Sequence, residues 1–262
     1  MDVHVLDRGR ILADLNFALD GTAVATHSDR NPDLEYEEFA VWNLLVDHPD
    51  GTILWDTGSH PDAADGHWPA PLYEAFAHPD AADRDLETVL GEAGFGVEDV
   101  DCVVQSHLHL DHAGGLYHFE GTDVPVYVHR RELEHAYLSA NTTAGGDAYL
   151  AADFDRDLNW QVVGGQRHHL VDGVELLHVP GHTPGLLGAL VEREGGSLLV
   201  AGDAAFLEEN YENERSMGAS LLYDSRAAAD SIEFLKNVER RHDARVIYGH
   251  DHDQFERIRG EL

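Results

Sequence analysis

The sequence contains the stretch Ser106-His107-Leu108-His109-Leu110-Asp111-His112-Ala113-Gly114-Gly115, in which four side chains that can bind a metal lie within six residues. It directly follows residues 100–105, whose mostly apolar sequence predicts a buried strand. Imidazole nitrogens and a carboxylate oxygen together suit zinc and neighbouring divalent metals. The two glycines allow the chain to turn tightly around the cluster. The stretch therefore predicts a metal site in the turn after a strand.

Three further residues of the same ligand types stand in turns elsewhere in the chain. They are His182 in Pro180-Gly181-His182-Thr183-Pro184-Gly185, Asp203 in Ala201-Gly202-Asp203, and His250 in Tyr248-Gly249-His250-Asp251. Each turn comes after an apolar run. Strands that end side by side would bring these turns to one rim of the protein. With His107, His109, Asp111 and His112, they make seven candidate ligands, enough for two metal sites.

Short apolar runs and helical patterns are mixed along the chain. The runs predict strands at 3–6, 39–46, 52–55, 100–105, 124–128, 174–179, 186–191, 198–201 and 246–248, and the helical patterns lie near 85–94, 130–138 and 226–241. Without strict strand–helix alternation, the mixture indicates layered sheets flanked by helices. The acidic stretches 20–38 and 59–83 are too long for simple connections and are candidate pocket walls or surface loops.

The chain is strongly acidic. Its 17 Lys+Arg against 50 Asp+Glu give a formal net charge of −33, and Lys236 is the sole lysine. A hydrophobic content of 43% nevertheless excludes a disordered chain. Nucleic-acid partners are not expected because the basic stripes that neutralise phosphates are missing. The acidity favours a hydrated surface adapted to high salt, as in halophiles.

The whole chain, 1–262, is expected to form a single domain with its own core. The sole cysteine, Cys102, excludes an intramolecular disulfide. No stretch has the roughly 18 continuous apolar residues of a membrane span, so we predict a cytoplasmic protein with no membrane partner. A homodimer is compatible with the sequence.

The ligand pattern resembles that of the metallo-β-lactamase fold superfamily, in which HxHxDH is followed by a distant His, an Asp and a last His. The resemblance implies an αβ/βα four-layer sandwich with a dinuclear metal site at the edge of the sheets. It also implies that Asp203 bridges two metals, with the other ligands divided into the sets His107, His109, His182 and Asp111, His112, His250. Asp56, in Asp56-Thr57-Gly58, resembles an early family motif and would accept a hydrogen bond from a ligand histidine.

Within the superfamily, the chain is similar to N-acyl homoserine lactonases over most of its length. Those enzymes carry a substrate-binding Tyr three residues after the bridging Asp, where this chain has Phe206. Phe206 cannot donate a hydrogen bond, so the same loop would have to supply a hydroxyl from Tyr211 or Tyr223. Leu110 and Phe206 are candidates for lining a substrate pocket.

The resemblance implies a lactone hydrolase that uses two Zn²⁺ ions, with Mn, Fe or Co as alternatives. Two cations that share a water lower its pKa and produce a hydroxide that attacks the lactone carbonyl. Asp111 would be the catalytic proton carrier between the nucleophile and the leaving oxygen.

Two alternatives stay open at this point. One is a thioester hydrolase similar to glyoxalase II, or another small-ester hydrolase, although only Arg257 and Arg259 are cationic after His250. The other is a protein that binds metal or lactone without catalysis, with Phe206 as the trace of lost chemistry. Turnover of a small-molecule lactone or ester separates them.

Overall fold

The computed structural model describes residues 1–142 and 148–262. The strands are β1 (Asp2–Asp14), β2 (Tyr36–His48), β3 (Gly51–Trp55), β4 (Cys102–Val104), β5 (Pro125–His129), β6 (Asn159–Val163), β7 (Arg167–Val171), β8 (Val174–His178), β9 (Leu187–Val191), β10 (Leu198–Gly202) and β11 (Arg245–Tyr248). The α-helices are α1 (Leu15–Ala18), α2 (Ala70–Ala75), α3 (Leu86–Glu92), α4 (Arg130–Ala140), α5 (Ala151–Phe154), α6 (Glu208–Glu212), α7 (Ser225–His242) and α8 (His252–Ile258).

The strands form two mixed sheets. The first has the order β1-β2-β3-β4-β5-β6, and the second has the order β11-β10-β9-β8-β7. In the first sheet β1, β2 and β3 pair antiparallel, whereas β3 to β6 pair parallel. In the second sheet β10 and β11 are parallel, and the other pairs are antiparallel.

Alternating side chains place an apolar core on both faces of each sheet. In β2, Leu44 and Val46 lie in the core that also contains β8 to β11, whereas Leu45 lies in a core shared with α3 and α4. In β10, Val200 faces the first of these cores, and Leu199 packs in a third core with α7. This alternation follows from the two-residue period of a strand. The layers are therefore helices, sheet, sheet and helices, and the predicted four-layer sandwich is confirmed.

Helix α7 shows how the sequence produces one outer layer. The Asp224 side chain accepts hydrogen bonds from the first backbone N–H groups, which an N-cap must do. Ile232, Leu235 and Val238 recur at intervals of three residues and are buried against the second sheet. The helix ends at Asp243, whose φ of 47° is left-handed.

Each strand and helix predicted from the sequence overlaps an observed element, but several elements are missed. The misses include β6, β7, α8 and most of the length of β1. Strands β6 and β7 are the last strands of their sheets, and edge strands keep polar residues on an exposed face. Their hydrophobic pattern is therefore weak. Among the described helices, none is long and apolar enough to cross a membrane.

Candidate metal centre

Five of the strands end at one edge of the sandwich and deliver the candidate ligands there. β3 is followed by Asp56 and β4 by His107, β8 leads into the turn with His182, β10 into Asp203, and β11 into His250. Because the turns after neighbouring strand ends meet at the same rim, residues far apart in sequence become neighbours.

All seven predicted ligands come together. Their side chains form three groups whose ligating atoms lie within 4.8 Å of one another: His107, His109 and His182; His107, His112 and Asp203; and Asp111, His112 and His250. Two of the groups correspond to the two ligand sets that the resemblance implied.

Asp203 lies at the centre of the cluster. Its Oδ2 is 3.3 Å from His250 Nε2, 3.4 Å from His182 Nε2, 3.5 Å from His112 Nε2 and 3.7 Å from His107 Nε2. One carboxylate oxygen therefore faces histidines from both ligand sets. This is the position that a bridging ligand requires.

The residues present fit a pair of divalent cations. His107 Nε2, His112 Nε2 and Asp203 Oδ1 are buried and have no hydrogen-bond partner in the part of the chain that is described. Such atoms are costly to leave unpaired. Nitrogen and carboxylate donors without a thiolate are typical of catalytic rather than structural zinc sites. Ions bound among these atoms would satisfy all three.

Backbone carbonyls orient two of the imidazole rings. His182 Nδ1 lies 2.6 Å from the carbonyl oxygen of Leu221, and His250 Nδ1 lies 2.9 Å from that of Ala40. A ring that donates its Nδ1–H to a carbonyl presents the lone pair of Nε2 on its other side. Both Nε2 atoms face Asp203, so each ring directs its potential coordinating nitrogen toward the centre of the cluster.

Asp56 lies where the motif comparison expected it, behind the ligands. Its Oδ2 lies 3.0 Å from His112 Nδ1, and its two oxygens accept hydrogen bonds from the backbone N–H and hydroxyl of Ser106, both at 2.7 Å. Its φ of 58° lies in the left-handed region, which is uncommon for a residue other than glycine. Asp56 thus holds a ligand ring and the start of the ligand-rich turn.

The charges in the cluster favour neutral histidines in one half and an ion pair in the other. Burial lowers the pKa of His107 and His109 well below the usual value. Burial alone would also lower the pKa of His112, but the carboxylates of Asp111 and Asp203 outweigh it and raise that pKa well above the usual value. Burial would raise the pKa of Asp203, but His250 and His112 outweigh it and hold that pKa well below its ordinary range.

A cavity of about 500 Å³ opens onto the cluster. His109, Asp111, His182, Asp203 and His250 contribute to its lining, and most of the remaining wall is apolar, with Ile11, Ala13, Phe17, Ala18, Phe39, Leu72, Phe76, Leu110, Ala148, Phe206, Leu221 and Leu222. Leu72 and Phe76 come from the acidic stretch 59–83, which therefore does supply pocket wall. Stretch 20–38 contributes none of these described lining residues and is largely exposed.

Of the two predicted tyrosines, Tyr223 lines the cavity and Tyr211 does not. The expectation for Tyr211 is wrong, because α6 turns this side chain into the core beside α7, where its hydroxyl donates to Glu239 at 3.0 Å. Phe206 packs its ring against His250, with 4.4 Å between ring centroids. Phe206 also contributes to the lining of the cavity.

Two polar residues of the cavity carry no signal in the sequence. Tyr149 sets its ring edge-on against His109, with centroids 4.5 Å apart, and its hydroxyl donates to Glu132 at 2.9 Å. His135 lies between Tyr149 and Tyr223. No motif marks them, because they come from α4 and the segment after it and reach the site through packing alone.

Known proteins resemble this chain over nearly its whole length. Residues 36–250 match the Metallo-beta-lactamase superfamily. An N-acyl homoserine lactonase of Bacillus sp is 35% identical over 247 residues, which cover 92% of this chain and 94% of the relative. The N-acyl homoserine lactonase AiiB of Agrobacterium fabrum is 30% identical over 264 residues, covering 97% and 94%.

Solved structures agree with these sequence matches. An N-acyl homoserine lactone hydrolase with the product N-hexanoyl-L-homoserine at its catalytic metal centre superposes with a TM-score of 0.83 at 27% identity, over 97% of this chain and 95% of the other. A mutant of AiiA from B. thuringiensis, with N-decanoyl-L-homoserine bound at the active site, gives a TM-score of 0.81 at 27% identity, over 97% and 95%. With its family match, its relatives and its converging ligand pattern, the chain belongs to the metallo-β-lactamase superfamily.

Proposed function

We propose that this protein is a dinuclear metal hydrolase that opens the ester ring of a lactone, and that the lactone is an N-acyl homoserine lactone. One observation carries the proposal: the candidate ligands form one wall of a cavity that is otherwise mostly apolar. A polar reacting ring would lie against the ligands while an acyl chain lies along the apolar wall. Relatives named N-acyl homoserine lactonases support the same substrate class.

The metal ions are proposed to be two Zn²⁺, with Mn, Fe or Co as alternatives that accept the same donors. His107, His109 and His182 would hold one ion, Asp111, His112 and His250 the other, and Asp203 would bind both. When bound, such ions supply Lewis acidity and lower the pKa of water.

Asp111 is proposed to move the proton during the reaction. It lines the cavity, and its Oδ2 lies 3.5 Å from His112 Nε2 and 3.7 Å from His250 Nε2. As water adds to the lactone carbonyl carbon, the Asp111 carboxylate would take the proton of that water. When the bond between the carbonyl carbon and the ring oxygen breaks, the same proton would pass to the departing oxygen.

Tyr223 is proposed to bind the substrate in place of the family Tyr that Phe206 replaces. Both Tyr223 and Tyr149 line the cavity, but the Tyr149 hydroxyl already donates to Glu132. Tyr223 is 60% exposed, so its hydroxyl is accessible to a ligand. The Phe206 ring adds apolar surface beside the ligands instead.

The glyoxalase II-like alternative is less well supported by the cavity. A glutathione thioester carries carboxylates, which cationic side chains would bind. None of the described residues that line the cavity is Lys or Arg. An acyl chain suits this wall better than a charged peptide does.

Turnover by zinc-loaded protein tests the proposal. We expect ring-opened acid from N-acyl homoserine lactones, measured by chromatography or by proton release, and little from a glutathione thioester or a phosphodiester. Asp111→Asn should lose at least about 100-fold in kcat, which is within the usual range for removing a general acid–base group. Asp230→Asn, the same change at an exposed site on α7, should retain full activity.

Two outcomes would contradict parts of the proposal. If the dizinc protein binds an acyl homoserine lactone without releasing acid, the protein is a binding module and not a hydrolase. If the thioester is the better substrate, the lactone assignment is wrong, although a metal hydrolase remains.

We also propose that the protein is adapted to high salt. The support is its net charge of −33 with a single lysine. Screening by salt should relieve the self-repulsion of such a surface, so lowering the salt should unfold or aggregate the protein. A melting temperature that is independent of salt concentration would contradict this proposal. The single domain 1–262, the cytoplasmic location, the homodimer and the absence of nucleic-acid and membrane partners stay predictions.

A further inference from the structure

Glu132, near the start of α4, is a fully buried acid with a relative exposure of 0%. Its Oε1 accepts hydrogen bonds from the backbone N–H of Leu108 at 3.0 Å and from the hydroxyl of Tyr149 at 2.9 Å. Its Oε2 accepts from the backbone N–H of Gly185 at 3.2 Å. Three donors thus converge on one carboxylate.

These donors belong to the segments that carry candidate ligands. Leu108 stands between His107 and His109, and Gly185 lies in the same turn as His182. Tyr149 packs its ring edge-on against His109. The carboxylate therefore joins two turns that are far apart in sequence, and also a ring that supports one ligand.

An acid at this place is energetically unfavourable on its own. Ala136 and Ser139 follow Glu132 on the same buried face of α4, and small uncharged side chains fill that face. Burial raises the pKa of Glu132, and among the described residues the groups that lower it are hydrogen-bond donors, none of which is Lys or Arg. A buried charge without a counter-charge is unfavourable unless hydrogen bonds stabilise it. Packing of the helix does not explain a carboxylate, whereas the joining of the two turns does.

We propose that Glu132 is a positioning residue for His109 and His182, and that it complements Asp56, which supports His112. This inference rests on the metal centre of the proposed function. Glu132 would then support the half with His107, His109 and His182. Asp56 contacts His112 of the other half directly and reaches His107 only through the hydroxyl of Ser106.

Glu132→Gln tests the proposal because it keeps the size of the side chain but places an NH₂ group against a donor. Metal-free protein is titrated with Zn²⁺ against a chromophoric chelator, which reports both dissociation constants without any measurement of activity. We expect one constant to rise about 10–100-fold, the usual effect of removing a hydrogen bond that supports a ligand, and the other to change less than about 3-fold. Visible absorption of the Co²⁺-loaded variant should change correspondingly in one site.

Glu134→Gln is the matched control, since Glu134 is an exposed acid on the same helix. It should leave both constants as in the wild type. If Glu132→Gln does not fold, as a lost thermal transition would show, Tyr149→Phe removes one donor only and should raise the same constant at least about 3-fold.

The His109→Ala background identifies the half that is affected. There, adding Asp56→Asn should weaken the remaining site, whereas adding Glu132→Gln should not, because the half that it supports is already lost. Unchanged constants in both Glu132→Gln and Tyr149→Phe, or equal weakening of both sites, would overturn the assignment of Glu132. Wild-type protein that binds fewer than two ions would overturn the proposed metal centre and this inference with it.

Discussion

Arg8→Met should destabilise the protein although Arg8 belongs to no ligand set. Arg8 is 2% exposed, and its guanidinium donates to the Arg84 carbonyl at 2.7 Å, Asn43 Oδ1 at 2.9 Å, the Thr57 carbonyl at 2.6 Å and the Ser59 carbonyl at 3.1 Å. Methionine fills a similar volume but donates nothing. Four acceptors would lose their charged donor.

The size of the effect follows from two opposed contributions. A buried acceptor left without a partner costs roughly 1–3 kcal/mol. At about 1–2 kcal/mol each, the lower part of that range, the four acceptors cost about 4–8 kcal/mol. Against this, burial, partly offset by the charge of Asp85, lowers the pKa of Arg8 to about 10, which corresponds to a net cost of about 3 kcal/mol for the buried charge that the variant no longer carries. We therefore expect the free energy of unfolding to fall by about 3 kcal/mol.

Urea unfolding at constant high salt measures this change. Arg226→Met is the control, because Arg226 is exposed and its loss makes the same change in net charge. Arg8→Met should also weaken metal binding, since Thr57 adjoins Asp56 and its hydroxyl donates to the His112 carbonyl at 2.8 Å. A loss of less than about 1 kcal/mol beyond the control would refute the reasoning that the guanidinium fixes this segment.

Three further predictions concern the cavity and the ligands. Tyr223→Phe should lower kcat/KM for an acyl homoserine lactone about 10-fold, as expected for one lost hydrogen bond, whereas Tyr211→Phe should leave kcat/KM unchanged. If steady-state kinetics show a loss for Tyr211→Phe and none for Tyr223→Phe, Tyr223 does not bind the substrate. Zinc binding at pH 7 should release protons and tighten as the pH rises, because neighbouring carboxylates outweigh burial and raise the pKa of His112 and His250, and both rings must lose a proton to coordinate. Calorimetry in two buffers of different ionisation enthalpy measures the number of protons released. Zinc binding without proton release at pH 7 would be the contrary result. Phe76→Ala should lower kcat/KM for long-chain acyl lactones about 10-fold, because apolar contact is lost, and should leave kcat/KM for a simple γ-lactone unchanged. An equal loss for the two substrates would argue against an acyl-binding site in this wall of the cavity.

The candidate ligands could be predicted from sequence because their signal is local. The residue types in HxHxDH lie within six positions, and each of His182, Asp203 and His250 stands in a glycine-containing turn after an apolar run. Strand periodicity likewise identified the buried strands, since a strand covered on both faces is apolar throughout. It failed at the edge strands β6 and β7, where one side of the sheet has no neighbour.

Residue type did not reveal how a side chain is oriented. Tyr211 and Tyr223 are both tyrosines beyond Asp203, yet one donates to Glu239 in the core and the other lines the cavity. Tyr149 belongs to the site without any motif around it. The direction of each side chain depends on how its helix or loop packs, and this depends on residues far away in sequence.

The sequence by itself determined the types of the candidate ligands, the turns that carry them, the acidic composition and the apolar runs that form two sheets. Only the tertiary structure decided that Asp203 faces four histidines, that Arg8 fixes the segment after Asp56 and that Glu132 joins the turns of His109 and His182. The physical reason is the separation in sequence over which each effect acts. Turn conformation and strand periodicity arise between residues a few positions apart, whereas a buried charge is stabilised by whichever donors the packed sheets bring within about 3 Å.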